Sequence, residues 1–300
     1  MKHYKSLPNR SSSQHFGNIS ANDAAKEFQT HPGNVPLRFT LMDREASIGS
    51  DLSLKYAGKM AIELAYQIDD SETRLQLLDS AQKHLEASKA RKAFGLTGAS
   101  GNAAVELALL PQHRYSIMLG KVARPKVMES IYLDLLEAGQ EHKNALAGNV
   151  HPLVRQDLKG NLSEISTLML LQRFAVQEGD GSWSILPASL SSDRGKANRG
   201  SHVRNSWDIE VQTQYDLETP PELQYKIQVK TRRHANKTHF KRTIYAEDIA
   251  VVYVQDDLQI NGQIMPLDQI INECIAEQEG DEVSAQKLNR RTGRLLDILG

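Results

Sequence analysis

Apolar residues recur at helical spacing through the first half of the chain. From about Leu52 to Ala147 they follow one another three and four positions apart, in segments separated by short polar connections. One connection, "QIDDSETR", places Asp70 or Ser71 where either can cap the next helix. The pattern predicts a helical domain over residues 46–148, built as a small bundle.

The pattern changes after Gly148. A helix that is apolar on most faces is predicted by "NLSEISTLMLLQRFAV", and strands are predicted by "SWSILPASL", "SWDIEVQT" and "YKIQVKT". A basic connection then leads to a fourth strand, "IAVVYVQ", and to the helices "PLDQIINECIAEQ" and "SAQKLNRRTGRLLDIL". We expect an α/β (α+β) protein in which a mixed sheet flanked by helices occupies residues 149–280 and a C-terminal helix occupies residues 281–300.

Composition adds little to this picture beyond excluding some classes. The chain is 40% hydrophobic and 24% charged, which is ordinary for a globular protein, and its net charge of -1 favours no partner. Residues 1–45 are rich in Ser, Asn, His, Gly and Pro and are predicted to form a flexible N-terminal arm. The single cysteine, Cys274, is interpreted as a core residue. With no apolar stretch of signal-peptide or membrane-spanning length, we expect a cytoplasmic location and no membrane partner.

Two of the predicted strands carry polar residues on one face. Side chains at i and i+2 of a strand share a face, so Asp208 pairs with Glu210, and Gln228 pairs with Lys230 on the next strand. Trp207 and the alternating aliphatic residues are expected on the other face. Carboxylate and amide oxygens are ligands for Mg²⁺, and an ammonium can stabilise the negative charge that develops on a phosphate. These four residues, the polar face, indicate phosphodiester hydrolysis.

With Glu164 on the preceding helix, the pattern Asp208, then Gln228-Val229-Lys230, resembles the PD-(D/E)xK nuclease superfamily and its restriction-endonuclease-like fold. The resemblance covers about residues 150–275 and extends to the order of elements, which is a helix, a three-stranded meander, a helix or loop, and another strand. Two features depart from the family pattern: Gln228 stands where an acid is usual, and no proline directly precedes Asp208.

The resemblance implies a set of site residues. The catalytic residues are Glu164, Asp208, Gln228 and Lys230, and the metal ligands are Asp208, Gln228 and the main-chain carbonyl of Val229, with Glu210 as a further candidate. The implied cofactor is Mg²⁺, and Mn²⁺ would fit the same oxygen donors. Alternatives remain for two members. Glu164 follows Asn161 at capping-box spacing, and Asp208 with Glu210 would also suit a solvent face balanced by lysines.

Positive charge is concentrated on both sides of the polar face. The segment "KTRRHANKTHFKR" contains no Asp or Glu, and "SSDRGKANRGSHVRN" precedes Asp208. Residues expected to contact nucleic-acid phosphates are Arg199, Arg204, Arg232, Arg233, Lys237, Lys241 and Arg242. The predicted partner is DNA, and RNA would offer the same phosphates. The helical half is expected to position substrate or to bind a second copy or another protein.

These observations favour a metal-dependent DNA endonuclease. A noncatalytic nucleic-acid-binding protein of the same fold is the first alternative, favoured by Gln228, and a helical interaction scaffold is the second. The glycine-rich "GLTGASGNAA" does not follow a buried strand, so it is interpreted as a helix C-cap and an inter-helix loop rather than a dinucleotide site. No organic cofactor is predicted.

Overall fold

The structure is a computed structural model that describes residues 19–91, 96–148, 150–177, 182–188, 203–204, 207–214, 222–231, 244–245, 249–254 and 267–299. The helices are α1 (Ala21–Thr30), α2 (Val35–Ile48), α3 (Asp51–Gln67), α4 (Ser71–Ala90), α5 (Gly98–Leu119), α6 (Pro125–Ala147), α7 (Pro152–Gln177), α8 (Leu267–Gln278) and α9 (Glu282–Leu299). The strands are β1 (Trp183–Pro187), β2 (Val203–Arg204), β3 (Ile209–Thr213), β4 (Glu222–Thr231), β5 (Ile244–Tyr245) and β6 (Ile249–Val254).

The four predicted strands form one mixed sheet in the order β1-β3-β4-β6. Strands β1, β3 and β4 pair antiparallel, whereas β6 runs parallel to β4. Helix α7 packs on β1 and β4, α5 packs on β1, and α9 reaches β6. The predicted α+β class, with helices packed on a mixed sheet, is therefore confirmed. A short parallel pair, β2 with β5, was not predicted.

The expected flexible arm is corrected over residues 21–45. Ser20 and Asn34 cap α1 and α2 through their side chains, and Phe28 and Leu41 are fully buried. The polar composition of this segment hides two helices in which most apolar residues are buried or half-buried. Residues 1–18 of the expected arm lie outside the described residues.

Two hydrophobic cores meet along α5. One contains buried residues of α1 to α5, and the other contains residues of α5 to α9 and of the sheet. Leu110 of α5 belongs to the first core, and Leu109, the preceding residue, belongs to the second. The expected division between residues 148 and 149 therefore does not separate the cores, because α6 packs with the sheet-bearing half. Cys274 is fully buried in the second core, as predicted.

The glycine-rich segment is helical where the structure describes it. Thr97 caps α5 in a capping box with Ser100, so Gly98 and Gly101 lie in the first turns of the helix rather than in a loop. A Cβ atom at Gly101 would lie 2.3 Å from His142 Nε2. These glycines allow α5 to approach α6 and α7 closely.

Two further expectations concern the helices. Asp70 caps α4, its side chain accepting from the Thr73 amide at 2.8 Å, as the connection "QIDDSETR" predicted. None of the described helices combines the length and the apolar character that crossing a membrane requires.

Candidate functional site

Asp208 is fixed between two strands by its own backbone. Strand β3 begins at Ile209, so Asp208 precedes the strand rather than lying within it. Its N–H donates to the Ile227 carbonyl at 2.8 Å, and its carbonyl accepts from the Ala188 amide at 2.8 Å. Because both backbone groups are bonded, the direction of the Asp208 side chain is set by β4 and by the end of β1.

The predicted ligands Asp208, Gln228 and Val229 come together. Gln228 Nε2 donates to Asp208 Oδ2, and the Val229 N–H donates to the same oxygen at 2.7 Å. The Gln228 amide nitrogen also lies 3.3 Å from the Val229 carbonyl oxygen. Gln228 is only 1% exposed. A buried amide nitrogen thus lies between the two oxygen atoms that the resemblance assigns to a metal.

Glu164 lines a small cavity together with Asp208. Helix α7 begins at Pro152, so Asn161 and Glu164 both occupy its interior and the capping-box alternative is wrong. The helical pattern extends through "PLVRQDLKG", which the sequence interpretation had left outside the helix. Glu164 and Asp208 line the same cavity of about 70 Å³, hereafter the Asp208 cavity.

Three charged residues of the helical half also line the Asp208 cavity. They are Lys55 and Lys59 of α3 and Glu106 of α5. Lys59 Nζ lies 2.7 Å from Glu106 Oε1, and the two side chains are only 10% and 2% exposed. The sequence interpretation missed all three because they lie about a hundred residues or more from Asp208. The one available signal was Glu106, a lone acid within the apolar run "AVELALL".

Glu210 lines a different space from Asp208. It lines a separate, larger cleft of about 360 Å³, and its Oε1 accepts from Trp207 Nε1 at 2.9 Å. Lys226 Nζ lies 4.8 Å from the centre of the same indole ring. Trp207 therefore contacts Glu210 and Lys226 rather than the apolar face on which it was expected. The strand alternation used for that expectation fails here because residue 207 precedes β3.

The remaining predicted residues are described in part or not at all. Lys230 is paired with Tyr253 in the register of β4 and β6, but its side chain lies outside the described residues. The same is true of the side chain of Arg204, whose backbone forms β2. Also outside the described residues are Arg199, Arg232, Arg233, Lys237, Lys241 and Arg242.

Within the described ranges, no three His, Cys, Asp or Glu side chains gather as a group that could hold a metal. The arrangement around Asp208 instead combines one carboxylate, one amide and one main-chain carbonyl. The chain matches no family model, no curated protein and no solved structure. Function must therefore be argued from the site alone.

Proposed function

We propose that the protein is a metal-dependent DNA endonuclease of the restriction-endonuclease-like class. The observation that carries the proposal is the convergence of the Asp208 carboxylate, the Gln228 amide and the Val229 carbonyl on one point. These are the positions that the resemblance to the PD-(D/E)xK superfamily assigns to metal binding.

The order of elements supports the proposal. Helix α7 is followed by β1, β3 and β4 as an antiparallel meander, and then by β6 beside β4. This is the order that the resemblance implies. Asp208 directly precedes the second sheet strand and Gln228 lies within the third, which is compatible with the family pattern.

The donor groups fit a divalent cation. Mg²⁺ and Mn²⁺ prefer oxygen ligands, and Asp208 and Val229 both offer oxygen to the point where the Gln228 amide nitrogen lies. Gln228 itself binds a cation only through Oε1. Because rotation about the last side-chain bond exchanges Oε1 and Nε2, the residue fits either a hydrogen bond to Asp208 or a bound cation.

Each protein group has a role in this proposal. A bound Mg²⁺ would supply Lewis acidity and lower the pKa of a water molecule. Asp208 is held in place by the Val229 N–H, which keeps its carboxylate oriented towards the scissile phosphate. Glu164, which also lines the Asp208 cavity, would orient the attacking water. Lys230 would stabilise the developing negative charge, as the resemblance implies.

Lysines of α3 add positive charge to the site. Lys55 and Lys59 both line the Asp208 cavity, where a phosphate would have to approach the carboxylates of Glu106, Glu164 and Asp208. Lys59 is paired with Glu106, so Lys55 supplies the additional positive charge. An ammonium offsets that repulsion and supplies hydrogen-bond donors to phosphate oxygens. The basic segments on either side of Asp208 in the sequence would hold the flanking phosphates. The helical half thus contributes to the site in addition to supporting it.

One observation favours a second function, a noncatalytic nucleic-acid-binding protein of the same fold. The Gln228 amide already satisfies Asp208 by hydrogen bonding, and a neutral amide removes one charge from the metal site. In such a protein the same arrangement would stabilise the sheet without a cation. Binding to DNA without metal-dependent cleavage is the result that distinguishes it.

The test is cleavage of supercoiled plasmid and of single-stranded DNA in Mg²⁺, Mn²⁺ or EDTA. The wild-type protein is expected to cut with either metal and not in EDTA. Asp208→Asn is expected to lower the rate by roughly a hundredfold or more, since it removes a metal ligand while keeping the shape of the side chain. Asp297→Asn, which changes an exposed carboxylate on α9, is the matched control and should cut normally.

Metal-dependent cutting of equal rate in Asp208→Asn would overturn the proposed site. Tight, salt-sensitive DNA binding with no cutting by any variant would favour the noncatalytic function instead.

A further inference from the structure

A cleft of about 360 Å³ adjoins the Asp208 cavity. It lies between α3 and α5 on one side and β1 and β3 on the other, and we call it the Tyr66 cleft after its most exposed aromatic side chain. Four residues line both spaces: Lys59, Glu106, Pro187 and Ala188. Any group bound in the Tyr66 cleft would therefore be a neighbour of the proposed reaction centre.

The charges of the Tyr66 cleft disfavour a phosphate. Its lining holds three carboxylates, of Glu63, Glu106 and Glu210, against the single ammonium of Lys59. Lys59 is already paired with Glu106 at 2.7 Å, and Glu63 is paired with Arg38 at 2.9 Å. An anion would meet net repulsion here, whereas a neutral group that donates hydrogen bonds would be favoured.

An aromatic ring is held rigidly at the edge of the cleft. Tyr66 is 42% exposed, and its hydroxyl is hydrogen bonded to His113 Nδ1 at 3.0 Å. The two rings also meet edge to face, with centroids 5.8 Å apart. A ring held by a hydrogen bond and by a ring contact offers its exposed part as a stacking surface at little entropic cost.

His113, the buried member of the Tyr66–His113 pair, has a ring nitrogen without a hydrogen-bond partner among the described residues. His113 is only 5% exposed and lines the cleft, and its Nε2 has no hydrogen-bond partner among the described residues. Leaving a buried ring nitrogen unsatisfied is costly, which is a common sign of a site that a ligand completes. Gln67 and Gln212 add amide groups to the same lining, and Ile62 and Leu186 add apolar surface.

We propose that the Tyr66 cleft receives a single unpaired nucleobase next to the phosphate to be cut. The lining matches adenine or cytosine. Tyr66 offers a stacking surface, Leu186 offers apolar contact, and the carboxylates and amides offer acceptors for an exocyclic amino group. A base inside a duplex could not enter, so the substrate is single-stranded DNA or a duplex from which one base is extruded. The statement that the neighbouring phosphate is cut rests on the proposed function, whereas binding of the base in the cleft does not.

The binding step can be tested without cleavage. The probe is a short single-stranded oligonucleotide with one 2-aminopurine, a fluorescent adenine analogue whose emission is quenched by stacking, titrated with protein in EDTA. The wild-type protein is expected to quench it saturably. Tyr66→Leu should remove most of the quenching and weaken binding roughly tenfold, the loss typical of one stacked base. A second oligonucleotide carries an abasic residue in place of 2-aminopurine. Wild type should bind it about as weakly as Tyr66→Leu binds the oligonucleotide with 2-aminopurine.

Controls separate base binding from general damage. Tyr115→Leu removes a half-buried tyrosine of α5 outside the cleft lining, and it should bind like wild type. Gln67→Leu changes an exposed residue of the cleft and serves as a second test if Tyr66→Leu proves unstable. It should weaken binding of the adenine analogue. Equal quenching and affinity in wild type, Tyr66→Leu and Gln67→Leu would overturn the base pocket, as would equal affinity for the abasic oligonucleotide.

The two proposals fail in different ways. If wild type quenches the probe but never cuts DNA, the base pocket stands and the nuclease proposal fails. If wild type cuts with metal but Tyr66→Leu binds and cuts single strands normally, the nuclease proposal stands and the base pocket fails.

Discussion

Gln228 determines how the proposed site is held together when no cation is bound. Its buried amide donates to Asp208 at the point that a cation would occupy. Asp208 therefore has hydrogen-bond donors when no cation is bound, which offsets the cost of holding a partly buried carboxylate. A glutamate in this position would instead put two carboxylates side by side, which is favourable only with metal present.

The variant Gln228→Glu is therefore predicted to have a free energy of unfolding that depends on Mg²⁺. In EDTA the free energy of unfolding should fall by about 1–3 kcal/mol, because a donor to Asp208 is replaced by a second negative charge. Added Mg²⁺ should raise the unfolding midpoint of Gln228→Glu more than that of wild type, since the ion binds only the folded state. Urea unfolding with and without Mg²⁺ measures both effects.

The control for this prediction is Gln224→Glu. Gln224 lies on β4, four residues earlier and of the same strand parity, but it is exposed. Its replacement should leave stability within about 0.5 kcal/mol of wild type under both conditions. A Gln228→Glu protein as stable as wild type in EDTA would argue against the described contact with Asp208.

The family pattern made Asp208, Gln228 and Val229 predictable as a group, because it specifies their order along two neighbouring strands. Strand alternation alone grouped Asp208 with Gln228 but put residue 229 on the other face. Lys59 and Glu106 were not predictable, because helix packing across about a hundred residues brings them to Asp208. Trp207 was misplaced because the alternation was applied two residues before the start of β3, where the chain is not yet a strand.

Among the elements, α5 connects the two cores and brings Glu106 to the site. Its close approach to α6 depends on Gly101, where a Cβ would lie 2.3 Å from His142 Nε2 and 3.0 Å from Asn161 Nδ2. The His142 ring is fully buried, so it has little room to move away.

Gly101→Ala is therefore predicted to destabilise the protein by about 1–3 kcal/mol through overpacking. Gly160→Ala is the matched control, since Gly160 also lies within a helix but a Cβ there meets nothing within 4 Å. It should be neutral or should stabilise by up to about 1 kcal/mol, as expected for alanine in a helix. Denaturant unfolding of both variants gives the comparison. Equal stability of the two variants would mean that α5 does not pack as described.

Helix existence was predicted better than helix extent. Periodicity indicated α3 to α7, but α7 begins nine residues before "NLSEIS", since Gly160 and the charged residues around it do not interrupt the apolar spacing. Helices α1 and α2 were missed because their polar composition suggested disorder. The sequence also did not predict which helices share a core. It shows where the type of secondary structure changes, but not which helices pack together.

At the scale of the whole molecule, the burial of His113 couples stability to pH. Burial, with a smaller effect of Lys59, lowers the pKa of His113 from its ordinary 6.5 to about 3. Between these values the unfolded chain binds a proton that the folded protein does not. The contribution of His113 to stability is therefore greatest above about pH 6.5 and falls as the pH falls towards 3, by about 1.4 kcal/mol per pH unit.

His113→Phe should lose this part of the pH dependence. Between pH 6.5 and 4.5 the slope of its unfolding free energy against pH should be smaller than the wild-type slope, with a difference of about 1.4 kcal/mol per pH unit. At pH 7.5 the variant should be less stable than wild type, because the hydrogen bond to Tyr66 is gone. Urea unfolding at several pH values provides the slopes. His31→Gln, an exposed change at the end of α1, should keep the wild-type slope. A slope unchanged in His113→Phe would contradict the burial of a neutral His113.

The most direct test of the proposed site is the binding of Mn²⁺, followed by the loss of the free-ion signal in electron paramagnetic resonance. Wild type and Asp297→Asn are predicted to bind one ion per chain with the same affinity. Asp208→Asn should bind it roughly tenfold or more weakly, since altering even a neighbour of a metal ligand commonly costs that much. Equal Mn²⁺ affinity in Asp208→Asn, or no binding by wild type, would contradict a metal site formed by Asp208, Gln228 and Val229.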